Sequence, residues 1–178
     1  MAKGKPPALT EYESSVLAII GRDGPITAYK VRKIIEGSPA AGFSSSAGAV
    51  YPAIARLKAR NLIAAEAVET DGRNTELLKA TQTGRAAIRR WVLEVTPEQL
   101  LPVDLLRTRV AYASLLSASE RRDWLQAVKA ALRDKLAEIE IYATQHSEGT
   151  MDYAHRHAKR ITRARIEWLD ELLELETN

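Results

Sequence analysis

Apolar positions recur at helical spacing through the first sixty residues, alternate over the next twenty, and then return to helical spacing up to the end. Thr10 and Glu13 stand three apart beside Tyr12, Val16, Ile19 and Ile20. This predicts a helix opened by a capping box, each side chain satisfying a backbone N–H of the other. Gly21 and the run Asp23-Gly24-Pro25 predict its stop. Thr27 caps a second helix with Val31, Ile34 and Ile35 inward, ending near Gly37, and the small residues 38–45 read as a loop. Ser46 opens a third helix to about Arg60, with Val50, Ile54 and Leu57 forming one apolar stripe. Ile63 to Thr70 and Thr75 to Ala80 read as two strands joined by the polar tip Asp71-Gly72-Arg73-Asn74. Thr81 to Val95 is helical again through Ala87, Ile88, Trp91, Val92 and Val95.

From Thr96 every signal is helical. Thr96-Pro97 supplies a cap and a proline at the first helical position, predicting a helix to about Leu116 with Leu101, Leu105, Leu106 and Tyr112 apolar. Ser117 and Glu120 form a second capping box, opening a helix through Trp124, Val128, Leu132, Leu136, Ile139 and Ala143. His146 to Gly149 breaks it. The last helix, about Thr150 to Glu176, carries Ala154, Ala158, Ile161, Arg165, Trp168, Leu172 and Leu175 at alternating 4/3 spacing, a heptad-like seam with one charged member. The pattern predicts a mainly α chain: a winged helix-turn-helix with a two-stranded wing over residues 1–95, then a helical dimerisation domain over 96–178. Residues 1–9 are expected to be a flexible basic arm, and 81–95 a connecting helix.

Bulk properties narrow the function classes. The chain has 178 residues, 46% of them hydrophobic and 28% charged, enough for a core and for solubility. No run is long enough to cross a bilayer and no signal-type apolar region follows the start, so the expectation is a cytoplasmic protein. Zero cysteines exclude a disulfide framework and a thiolate metal site. The net charge of +3 hides an asymmetry. Residues 1–95 hold 14 Lys+Arg against 9 Asp+Glu, a net of +5, whereas residues 96–178 hold 12 against 14, a net of −2. Only the first half suits an anionic polymer.

The third helix gives that polymer a place to sit. Opposite its apolar stripe stand Gly48, Ala49, Pro52, Ala55 and Ala59, too small to fill a core and too apolar to serve solubility. If residues 27–36 and 46–60 form a helix-turn-helix, the second is the recognition helix and enters a major groove N-terminus first. Its opening N–H groups favour a phosphate. The hydroxyls of Ser44, Ser45, Ser46 and Tyr51 suit phosphate oxygens or base edges. Arg56, Lys58 and Arg60 flank the face, Lys30 lies on the helix before it, and Arg73 sits at the hairpin tip. Pro52 is an oddity, because its ring should strike the carbonyl of Gly48, whose backbone freedom relieves the clash. Taken singly, these residues have ordinary explanations, Ser46 as a cap and the cations as a solvated face. Together in one motif they point to duplex DNA.

These residues also carry a resemblance. Leu17-Ala-Ile-Ile-Gly-x-x-Gly-Pro-Ile-x-x-Tyr29, Ser46-x-Gly-x-x-Tyr-Pro-Ala-Ile-x-x-Leu57, Asn61-Leu-Ile63, Gly72-Arg73 and Thr81-x-x-Gly84 are similar to the PadR family of bacterial transcriptional regulators, in order over residues 9–92. The resemblance implies a winged-helix repressor that binds a palindromic operator as a dimer and often responds to a small molecule. It implies that Ser46, Gly48, Tyr51 and Arg73 are the transferable DNA-side positions. The chain departs from the family in having Thr27-Ala28 before Tyr29, where His-Gly is usual, and Leu77-Leu78-Lys79 after the wing, where an aromatic is usual.

Two copies related by a twofold axis would bring two recognition helices to successive major grooves, about 34 Å apart. The seams on 124–143 and 154–175 predict that homodimer, with Leu132, Leu136, Ile139, Ile161, Trp168 and Leu172 as contacts. Core and interface packing accounts first for the aromatics Trp91, Tyr112, Trp124, Tyr142, Tyr153 and Trp168. The functional reading of Trp91, Tyr112, Trp124 and Trp168 is a cavity between the two domains closing on a small aromatic effector. No enzyme is expected: there is no Gly-rich phosphate loop and no nucleophile–base constellation. No metal or cofactor is expected either, since His155 and His157 point to opposite sides of a helix. The alternative is a winged-helix protein–protein adaptor with no affinity for duplex DNA at any salt.

Overall fold

The computed structural model describes residues 8–39, 47–70, 73–100 and 103–176. The chain divides into two compact units, Met1–Gly37 with Ala41–Thr96, and Ser38–Ala40 with Pro97–Asn178.

The first unit is built from helices and one hairpin. α1 (Glu11–Asp23) opens on the expected capping box: Thr10 Oγ1 accepts from the Glu13 N–H at 3.1 Å, and Glu13 Oε2 accepts from the Thr10 N–H at 3.0 Å. The helix runs through Gly21, expected to be part of its stop, and ends where the Gly24 N–H reaches the Ile20 carbonyl. One glycine inside a helix costs only about 1 kcal/mol, and the packed face of α1 carries the helix past it. α2 (Ala28–Gly37) buries Val31 and Ile35, and α3 (Ala47–Ala59) continues unbroken across Pro52. Both rest on the core of Val16, Leu17, Ile20, Val50, Ala53, Leu57 and Leu78.

β1 (Ile63–Thr70) and β2 (Arg73–Ala80) are antiparallel, with Ile63 opposite Ala80 and Thr70 opposite Arg73. The second strand therefore starts at Arg73 and not Thr75, and the tip is two residues long, not four. Asp71 and Gly72 between the strands lie outside the described residues. Leu78 and Ala80 anchor the base of the hairpin in the core, while Ala64, Ala65 and Glu66 near its base are exposed. Ile26 bridges Leu78 through two backbone hydrogen bonds, a short extra edge with no local sequence signal. α4 (Gln82–Leu93) starts at Thr81, whose Oγ1 accepts from the Gly84 N–H.

The second unit differs from expectation at its start. In place of one helix from Pro97 to about Leu116 there are α5 (Pro97–Leu100), α6 (Leu105–Ala111) and a 3₁₀ turn, Ala113–Leu115. Two sequence signals explain the interruption. Pro102 cannot donate a helical hydrogen bond and disfavours helix in the residue before it. Asp104 then caps a new helix by accepting from the Leu106 and Arg107 N–H groups. α7 (Ala118–His146) opens on the Ser117/Glu120 capping box and pairs with α8 (Thr150–Leu175).

That pairing is offset by one residue from the 4/3 seam read in the sequence. His155, Thr162 and Leu169 are buried on α8, whereas Ala154, Ile161 and Leu175 are exposed. The two polar members are satisfied locally: His155 Nδ1 lies 2.9 Å from Ser147 Oγ, and Thr162 Oγ1 donates to the Ala158 carbonyl. An apolar template cannot see such positions.

Candidate nucleic-acid interface

α3 presents two faces of opposite character. Val50, Ala53, Ile54 and Leu57 face inward and are buried, with Val50, Ala53 and Leu57 fully so. Gly48, Pro52, Ala55 and Ala59 are on the other side, with Ala49 at its margin. Tyr51 lies beside them, 48% exposed. The surface expected to meet DNA is therefore outward, and its own residues are small.

The cations at its flanks are engaged with carboxylates of neighbouring elements. Toward α1, Arg56 Nε donates to Glu13 Oε1 at 2.5 Å. Toward the wing, Lys58 Nζ donates to Glu76 Oε2 on β2 at 2.5 Å. Burial raises the Glu13 carboxyl, but hydrogen bonds from Arg56 and Thr10, with the charges of Arg56 and Arg60, outweigh it and hold the group below its ordinary 4.5. Sequence reasoning gives Glu13 only its capping role and assigns none to Glu76. Both partners are remote in sequence, so no local spacing could have revealed them.

On α2, Lys30 is exposed and its N–H is capped by Thr27 Oγ1. Tyr29 is exposed nearby, with Arg32 Cζ 5.3 Å and Lys33 Nζ 5.8 Å from its ring centroid. Helical spacing of three and four residues brings those cations onto the ring, a signal the sequence carried. Ser44, Ser45 and Ser46 lie outside the described residues. So does the side chain of Arg73, whose backbone begins β2.

The four aromatics considered for an effector stand on both units, Trp91 on the first and Tyr112, Trp124 and Trp168 on the second. Trp91 on α4 is half-buried and donates from Nε1 to the Glu11 carboxylate at 3.1 and 3.2 Å. Tyr112 is exposed, and Trp124 and Trp168 are half-buried on α7 and α8. A depression of about 550 Å³ on α4, lined by Ala86, Arg89, Arg90, Leu93 and Glu94, includes none of them. Of the residues expected at a dimer contact, Ile139 is buried under α8, Leu132, Leu136, Trp168 and Leu172 are half-buried, and Ile161 is 43% exposed. Among the described residues no cluster of His, Asp and Glu is arranged to hold a metal ion, and no helix is long and apolar enough to cross a membrane.

Comparison with solved structures finds the same fold. Bacillus subtilis PadR in complex with operator DNA superposes with a TM-score of 0.79 at 15% identity, over 94% of this chain and 99% of that one. Bacillus subtilis PadR in complex with p-coumaric acid gives 0.75 at 16% identity, over 93% and 98%. The Vibrio cholerae virulence activator AphA gives 0.69 at 19% identity, over 93% and 98%. No curated protein matches the chain in sequence. Residues 16–90 match the model of the transcriptional regulator PadR-like family. That span holds α2, α3, the wing and most of α1 and α4, so the likeness to the PadR-like family lies in the helix-turn-helix and wing.

Proposed function

We propose that the chain is a sequence-specific DNA-binding transcriptional regulator that places α3 in the major groove. The observation that carries this reading is the outward small-residue face of α3, backed by a fully buried stripe and bordered by Tyr51. A face without bulk permits the close approach that base-edge contacts need, and the surplus of +5 over residues 1–95 favours a polyanion. Gly48, Ala49, Tyr51 and Lys58 are direct contacts among the described residues, joined by Lys30 and by Ser44, Ser45, Ser46 and Arg73. The similar structure solved with operator DNA supports the reading.

The chain acts as a homodimer on a palindromic operator. Ile161 and Leu175, left exposed on α8, with Leu132, Leu136, Trp168 and Leu172, supply the apolar contact. It represses, and a small aromatic molecule releases it, as the solved complex of a similar protein with p-coumaric acid suggests. The test is selection of bound fragments from random duplexes by the intact protein. Enrichment of an inverted repeat with half-sites about one helical turn apart is expected, with Tyr51→Ala abolishing retardation and leaving the dimer intact in sedimentation. Recovery of no duplex at low salt would favour the adaptor role instead.

A further inference from the structure

The two cations on α3 itself, Arg56 and Lys58, are held very differently. Arg56, its own side chain 57% exposed, meets Glu13, whose side chain is only 8% exposed and whose other oxygen is committed to the N-cap of α1. The carboxylate is thus bonded on both sides, once to the start of α1 and once to α3. Lys58 meets Glu76 in a pair whose side chains are 33% and 53% exposed, where water competes and the long stem swings at little cost. The apolar stripe presses α3 onto the core, but such contact has no direction of its own. A charge-assisted hydrogen bond from a guanidinium does.

We propose that Arg56 is a positioning residue and not a phosphate contact: held by Glu13, it sets the rotation of α3 about its own axis, and so where Tyr51 and the small-residue face point. Lys58, in contrast, leaves Glu76 to meet the phosphate backbone. This rests on the DNA-binding reading above. It moves Arg56 from the contact surface to the frame behind it and gives Glu13 a part in recognition that its capping role does not include.

The test is equilibrium binding of the full-length protein to a duplex it has itself selected from a random library, followed by fluorescence anisotropy between about 50 and 200 mM salt. Lys58→Ala should make the slope of log affinity against log salt shallower by about 0.9 per protomer, since one phosphate fewer is then neutralised. Arg56→Gln should weaken binding about tenfold by the same factor at every salt concentration, leaving the slope unchanged. Glu13→Gln is isosteric, keeps an acceptor for the Thr10 N–H, and separates the two accounts by sign. If Arg56 positions the helix, binding falls about tenfold with the slope unaltered, and the double variant Glu13→Gln/Arg56→Gln binds no more weakly than Arg56→Gln alone. If Arg56 contacts phosphate, the released guanidinium strengthens binding and steepens the slope, which would overturn the proposal. A slope made shallower by about 0.9 in Arg56→Gln would overturn it equally. Should Arg56→Gln fail to fold, Glu13→Gln decides alone. A wild-type protein that recovers no duplex overturns the DNA reading and this assignment with it, whereas a salt-sensitive wild type with a shallower Arg56→Gln slope overturns only the assignment.

Discussion

Gly84 is where α4 is fastened to the junction between α3 and β1, and alanine there should undo the fastening. A Cβ at this position would stand 2.0 Å from the Leu62 carbonyl oxygen and 3.0 Å from its carbon. Carbon and oxygen settle at about 3.3 Å, so the start of α4 has to withdraw by more than an ångström. The obstacle is backbone and cannot rotate away. Withdrawal stretches the bond from the Thr81 N–H to the Leu62 carbonyl, now 3.0 Å, and the bond from Thr81 Oγ1 to the Asn61 carbonyl, now 2.8 Å. Each is worth about 0.5–1.5 kcal/mol net, and forced overpacking adds about 1–3 kcal/mol. The expected loss is about 2–6 kcal/mol, a large share of the roughly 5–15 kcal/mol that holds a domain together. Two other glycines calibrate the experiment. Gly37 at the end of α2 has nothing within 4 Å of the added carbon, so Gly37→Ala should be neutral or stabilising by about 0.5–1 kcal/mol. At Gly21 the nearest atom is Ile88 Cδ1 at 2.5 Å, the tip of a side chain that can turn aside, which places Gly21→Ala between the two. Urea unfolding of the full-length variants, followed by far-ultraviolet circular dichroism, ranks them directly. A Gly84→Ala protein within about 0.5 kcal/mol of wild type, or an inverted order, would refute this docking of α4.

Two further outcomes follow from the second unit. Leu169→Ala should cost about 2–5 kcal/mol in urea unfolding, because Leu169 is fully buried on α8, whereas Ile161→Ala should leave protomer stability nearly unchanged and weaken self-association in sedimentation. His155 is held below its ordinary 6.5 by burial and by the charges of His146 and Lys159, which outweigh the attraction of Asp152. Its neutral form is favoured in the folded state, so the stability it contributes is complete above pH 6.5 and is lost as pH falls below that value toward the folded pKa. Unfolding free energies of wild type and His155→Gln measured from about pH 7.5 to about pH 5 should therefore diverge, with wild type showing the steeper acid loss; parallel curves would remove the assignment.

Signals confined to one turn of helix were legible. Thr10 with Glu13, and Ser117 with Glu120, form the capping boxes their spacing announces, because everything such a cap needs lies within four residues. The outward face of α3 was legible for a related reason: helical period alone assigns Val50, Ile54 and Leu57 to one side and Gly48, Pro52, Ala55 and Ala59 to the other. The break near Pro102 and the cap at Asp104 were also in the sequence, and were outweighed there by the run of leucines around them. The seam of α8 was not legible from apolarity, since His155 and Thr162 hold two of its buried places with polar groups bonded to Ser147 at the end of α7 and to the Ala158 carbonyl.

Electrostatics of the site illustrates a different limit. Counting Arg56, Lys58 and Arg60 as a cationic rim treats each charge as available to a ligand. In the fold, Arg22 lies against Asp23, Arg32 and Lys33 share Glu36, Arg56 is bonded to Glu13 and Lys58 to Glu76. Two of those acids, Glu13 and Glu76, stand on elements other than the one that carries the cation. On the proposed DNA-binding reading, a duplex approaching α3 would compete with those carboxylates for each cation, and would succeed only where the partner is solvated well enough to be left behind. That criterion separates Lys58, whose Glu76 is half exposed, from Arg56, whose Glu13 is buried and would be stranded as a lone charge. The salt dependence of binding therefore reports the cations that can be released, a smaller number than composition supplies. Burial of the partner carboxylate, a long-range property of the fold, decides which cations those are.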